Sequence, residues 1–186
     1  MCRDQLLSSI NVTPGVDMAA IEKKAKHKSA ADDELGTHAL AIVSFLYNRV
    51  IAGAAPALRK RTGLSVTEAR IVFHLGTTSW TTANKLAKNL GIDKAAISRA
   101  TNRLVELGLV ASERDPNHAA RNILTLTEAG EAQCKQIAHF TFAREKHLLN
   151  VLDDEEHRQF LKSLRKILTN VESVNKLVAQ GHFWEE

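Results

Sequence analysis

Residues 81–130 read TTANKLAKNLGIDKAAISRATNRLVELGLVASERDPNHAARNILTLTEAG, and the fold of the chain turns on them. Ala87, Gly91 and Ile97 stand four and six residues apart. A small side chain at Ala87 lets a second helix pass close to the first, and Gly91 can take the positive φ that a tight inter-helix turn needs. Ile97 then plugs the second helix into the core. Thr81 or Thr82 can cap the first helix, whose inner residues are Leu86 and Leu90, and Asp93 can cap the second, expected over 94–107.

The second helix has two faces. Ile97, Ala100, Leu104 and Leu107 recur at steps of three and four and form an apolar stripe. Lys94, Ser98, Arg99, Asn102 and Arg103 fall away from it, with no acidic residue until Glu106. A face of donors on a helix-turn-helix suits the DNA major groove, where arginine pairs with guanine and serine or asparagine reaches other base edges or phosphates. Gly108 stands where a C′ glycine ends a helix. A short strand at 109–111, a turn cluster at 114–118 and a returning strand at 122–126 complete a winged helix-turn-helix.

At Leu104-x-x-x-Gly108-Leu109-Val110, Arg114-x-Pro116 and Leu126-Thr127-x-x-Gly130 the sequence resembles the MarR family of bacterial transcription regulators, over residues 40–168. The resemblance implies a mainly α (α+β) fold: a winged helix-turn-helix at 64–127 with N- and C-terminal dimerisation helices at 33–55 and 128–180. These would make a single domain at 32–186 behind a flexible arm at 1–31. It implies double-stranded DNA as partner and a homodimer, with the wing as a further DNA contact, for which Arg114 and, as a substitute, Arg121 are the candidates here. It also implies a small aromatic or phenolic effector, bound between dimer helices and DNA unit, where Phe45, Arg49, Arg70, His74 and Trp80 could stack on a ring or pair with a carboxylate. The wing departs from the pattern. The family's Asp-Arg-Arg triplet falls on His118-Ala119-Ala120, and Arg121, one residue later, is expected on the other face of the strand.

Composition bounds the rest. The 186 residues are 44% hydrophobic, enough for a core, and the 5% aromatics argue against a binder that stacks on single strands or RNA. A net charge of +4 suits a protein whose basic residues are local. Cys2 and Cys134 show no metal-ligand spacing and suggest a reducing cytoplasm; no run approaches eighteen apolar residues, so no membrane span is expected. Eight histidines are scattered without a His-Glu-x-x-His pair, and no glycine loop cradles phosphate, so no enzyme, cofactor or metal is expected. A redox- or metal-responsive regulator of the same fold, acting through Cys134 or the His139–His147 pair, is the first alternative. An interaction module that has lost DNA binding is the second.

Outside the wing unit, a helix is expected from about Glu34 to Ala54, ended or restarted by Pro56, with Arg59, Lys60 and Arg61 in a solvated loop. Ser65 to Glu68 reads as a capping box opening a further helix. Thr127 should cap a long helix to about Val151, and the acidic run at 153–156 should start a last helix carrying Phe160, Leu164, Ile167, Leu168, Val171 and Val178.

Overall fold

The computed structural model describes residues 38–183. The expected arm at 1–31 and the expected start of the first helix near Glu34 lie outside the described residues. In chain order the elements are α1 (Ala39–Thr62), α2 (Val66–Thr77), α3 (Ala83–Leu90), α4 (Lys94–Glu106), β1 (Val110–Asp115), β2 (His118–Leu126), α5 (Glu128–Leu149) and α6 (Asp154–Ala179). Six helices and one antiparallel two-stranded sheet among the described residues make the winged helix-turn-helix expected from the sequence. The described residues divide into two compact units, one ending at Thr141 and the other beginning at Phe142.

Local chemistry sets most element ends. The Ser65 hydroxyl accepts from the Glu68 amide at 3.3 Å while the Glu68 carboxylate accepts from the Ser65 amide at 2.7 Å, closing the capping box of α2. Thr82 caps α3 through the Lys85 amide, and Asp93 caps α4 through the Ala96 amide at 2.8 Å. Gly91 and Gly108 take φ of 63° and 69°, as the two turns require. Asp153 and Glu156 close a second capping box on α6.

The core of the first unit gathers α1 to α5 and both strands. Leu64, Ile71, Leu86, Ile97 and Leu104 are among its fully buried side chains. Burying each contributes about 1.5–3 kcal/mol. Thr81 pairs with Leu124 through two backbone hydrogen bonds, 3.1 and 2.8 Å, so the entry to α3 is stitched to β2.

Four expectations are corrected. Pro56 neither ends nor restarts α1; the helix runs through it, because Ala54 and Leu58 on either side pack into the core. Arg59, Lys60 and Arg61 therefore lie in the last helical turn, where cations offset the macrodipole, and not in a loop. Leu107 is the C-cap of α4 and is 41% exposed, because the stripe ends with the last helical turn. Finally, α1 is long and apolar enough to cross a membrane, with a mean hydropathy of 1.4 over eighteen residues. Arg49 lies near its midpoint, and Ala54 and Leu58 in its C-terminal half are buried.

The wing has an irregular register. Arg114 pairs with Asn122 but Asp115 pairs with His118, so residues 119–121 of β2 have no counterpart on β1. This bulge resets the alternation of side chains, and Arg121 turns back to Asp115. The Asp115 carboxylate, buried in the wing, accepts from the Asn117 amide at 2.8 Å and from the Arg121 Nε. The Asn117 amide first, and the Arg121 guanidinium second, hold the carboxyl below its ordinary 3.8.

The Leu-Thr-x-x-Gly motif joins sheet to helix. The Thr127 hydroxyl donates to the Gly108 carbonyl at 2.6 Å and accepts from the Gly130 amide at 3.0 Å, while the Thr127 amide donates to the Leu109 carbonyl. A Cβ at Gly130 would overlap that same Leu109 carbonyl oxygen.

Two outcomes follow. Gly130→Ala should lower stability by about 1–3 kcal/mol, read from the urea midpoint, since backbone rather than a pliant side chain must yield. An unchanged midpoint would refute the close approach. Asp115, with its folded pKa depressed, stabilises the wing above the ordinary carboxylate range and loses that contribution as pH falls through the depressed value. Wild type should therefore exceed Asp115→Asn in stability at neutral pH, with the gap closing on acidification below 3.8. A gap independent of pH would show that the charge is not what matters.

Candidate nucleic-acid interface

The buried stripe of α4 decides what the helix shows to solvent. Ile97, Ala100, Thr101 and Leu104 are buried, and this fixes the rotation of the helix about its own axis. Lys94, Ser98, Arg99, Asn102 and Arg103 are exposed as a consequence. Arg103 reaches Glu106, one turn on, at 3.4 Å, an exposed pair worth little that leaves the guanidinium accessible. The face can donate hydrogen bonds from five side chains along one helix, the property that groove reading needs.

Two wing arginines complete the sequence-derived set. Arg114 is exposed on β1. Arg121 lines a cleft with Ser98 and Asn102, so it faces α4 across the foot of the wing. Its Nε is occupied by Asp115, and its side chain remains 42% exposed.

Reading the sequence alone missed four polar residues of that cleft: Asn84 on α3, Thr101 on α4, Ser112 on β1 and Asn122 on β2. Asn122 donates to Ser112 across the sheet at 3.1 Å. One signal was present: Thr101 follows Ile97 by four and precedes Leu104 by three, a hydroxyl at a core position.

The residues expected to line an effector cleft are each engaged differently. A terminal nitrogen of Arg70 donates to the Leu90 carbonyl at 2.9 Å, and its guanidinium lies 5.9 Å from the Tyr47 ring centroid. The His74 Nε2 lies 3.4 Å from the Asn89 side chain, and the Lys85 ammonium sits 4.8 Å from the Trp80 ring centroid. Arg70 and His74 thus brace α2 against the C-terminal end of α3. Phe45 and Arg49 are exposed on α1.

Other chemistry is sparse. Cys134 is buried on α5, and a Cβ at Gly76 would overlap its sulfur, so the thiol fills the space that glycine leaves. Among the described residues no three of His, Cys, Asp and Glu are grouped to hold a metal.

The geometry can be set beside known proteins. The MarR family model matches residues 62–121, the segment from the end of α1 into the second strand of the wing. Comparison with curated sequences finds no match. A crystal structure of a MarR/EmrR family transcriptional regulator from Acinetobacter sp. ADP1 is similar with a TM-score of 0.68 and 28% identity, over 75% of this chain and 98% of that one. A probable transcriptional regulator from Pseudomonas aeruginosa is similar with a TM-score of 0.59 and 26% identity, over 72% of this chain and 98% of that one. A SlyA-like regulator from Listeria monocytogenes shares the fold alone, with a TM-score of 0.72 at 18% identity, over 81% of this chain and 99% of that one. The buried stripe, the capped helix-turn-helix and the wing agree with these likenesses: residues 62–121 match the MarR family model, and the chain is similar in fold to transcription regulators of that family.

Proposed function

We propose that the chain is a homodimeric, ligand-responsive repressor that reads a palindromic operator. The observation that carries the DNA reading is the face of α4: Lys94, Ser98, Arg99, Asn102 and Arg103 held outward by a stripe buried on the other side. Arg99 would pair with a base edge, Lys94 and Arg103 with base edges or phosphate, and Ser98 and Asn102 with neighbouring donors and acceptors. Arg114 and Arg121 would add contacts from the wing.

The dimer is supported by apolar surface that a lone chain leaves wet. Leu40, Phe45, Leu46 and Tyr47 on α1 are exposed, and so are Ile167, Leu168, Val171 and Val178 on α6. A second copy covering such faces is the commonest solution for a chain of this kind. Two recognition helices one DNA turn apart would demand half-sites roughly 10 base pairs apart. The protein would then act in the cytoplasm, as a regulator and not as an enzyme. A small aromatic or phenolic anion is the effector proposed, with Phe45, Arg49, Arg70, His74 and Trp80 as its candidate contacts. Arg70 would have to exchange the Leu90 carbonyl for the ligand, which would couple the effector to α3. A coupling of roughly 1–3 kcal/mol is typical of such responses.

One observation favours a second reading, an interaction module without DNA affinity: Ala119 and Ala120 stand where the family carries its wing arginines. Salt separates the two. The repressor reading expects duplex affinity that falls steeply with salt; the other expects none even at low ionic strength. Arg99→Ala should cost about 1–3 kcal/mol of operator affinity, measured by fluorescence anisotropy. Unchanged affinity would remove Arg99 from the reading face.

A further inference from the structure

The cleft between the helix-turn-helix and the wing, about 340 Å³ in volume, is polar and has no acidic residue in its lining. Three of its features point to an anion. First, it is bounded by the start of α3. Thr82 caps the Lys85 amide, while the amides of Ala83 and Asn84 have no intrahelical acceptor and stand at the positive end of the helix dipole. Second, the Thr101 hydroxyl is buried, in a residue only 5% exposed, and has no hydrogen-bond partner. Helical threonines commonly bond a carbonyl one turn back, and buried polar atoms are seldom left orphaned. Third, Arg121 reaches this cleft with its Nε fixed on Asp115, which leaves the two terminal nitrogens and their four N–H groups to donate.

We propose that this cleft seats one phosphodiester of the DNA backbone. The α3 amides and the Arg121 terminal nitrogens hold its charged oxygens, and the Thr101 hydroxyl donates from the floor. Arg121 thereby serves the backbone between helix and wing, and the Asp115 tether aims it there. The occupant is a duplex phosphate because Ser98 and Asn102 belong both to the cleft wall and to the exposed face of α4. A groove that receives those side chains carries its own strand past the opening. The inference rests on the DNA-binding reading above and assigns its backbone register.

Thr101→Val and Arg121→Gln, compared with wild type on the same duplex across a salt series, test the seat. Valine keeps the shape of threonine and removes a hydroxyl that no protein group uses, so its melting temperature should equal or exceed that of wild type. Its duplex affinity should nevertheless fall roughly threefold to tenfold with the salt slope unchanged, as for the loss of one neutral donor. Arg121→Gln should weaken binding at every sequence and reduce the salt slope by about one. If wild type binds duplex and both variants bind it equally well with the same slope, the seat is overturned and the DNA reading stands. If wild type binds no duplex at any salt, both fall together. Inorganic phosphate, titrated by NMR, is the remaining arm. Saturable binding abolished by Thr101→Val, with duplex affinity untouched, would show a site for free anions and would also overturn the proposal.

Discussion

The burial of one stripe of α4 is the constraint on which the molecule depends. Ile97 and Leu104 lie seven residues apart, two turns of helix, and both are fully buried in the cluster with Leu86 and Ile71. Hydrophobic contact has no direction of its own, yet two buried knobs on one stripe leave a short helix a single rotation. Truncating either to alanine would open a cavity costing about 2–5 kcal/mol. The polar face is therefore presented by packing that makes no use of polar chemistry. The rest of the unit holds that arrangement in place: Thr81 and Leu124 tie α3 to the sheet, and Thr127 ties the sheet to α5.

What the sequence made legible was mainly local. Gly91, Gly108, Asp93, Ser65–Glu68 and the acidic start of α6 act within one helical turn, so spacing alone reveals them. The Leu-Thr-x-x-Gly motif was recognisable as a pattern, but its cause lies at Leu109, whose carbonyl occupies the space that Gly130 leaves open. The continuation of α1 through Pro56 was hidden because it depends on long-range packing at Ala54 and Leu58. That packing outweighs a proline penalty of about 3 kcal/mol.

The site was legible to the same degree and for the same reason. The five residues of the α4 face follow from helical periodicity. The position of Arg121 does not, because strict alternation puts it on the other face of the strand and only the bulge opposite Asp115 brings it back. An orphan hydroxyl is likewise invisible in a pattern: Thr101 resembles any small residue on a buried stripe until its neighbours are known. The wing thus carries alanines where the family has its arginines and an arginine at its foot. On the proposed function, such a wing would grip backbone close to α4 and reach less far along the minor groove.

The proposed dimer would place the α4 face twice on one duplex, a turn of DNA apart. Hydroxyl-radical footprinting of the purified chain on a bound duplex measures this most directly. The account predicts two protected windows related by a two-fold axis, centred roughly 10 base pairs apart. A single window, or a complex that protects no backbone at all, would contradict it.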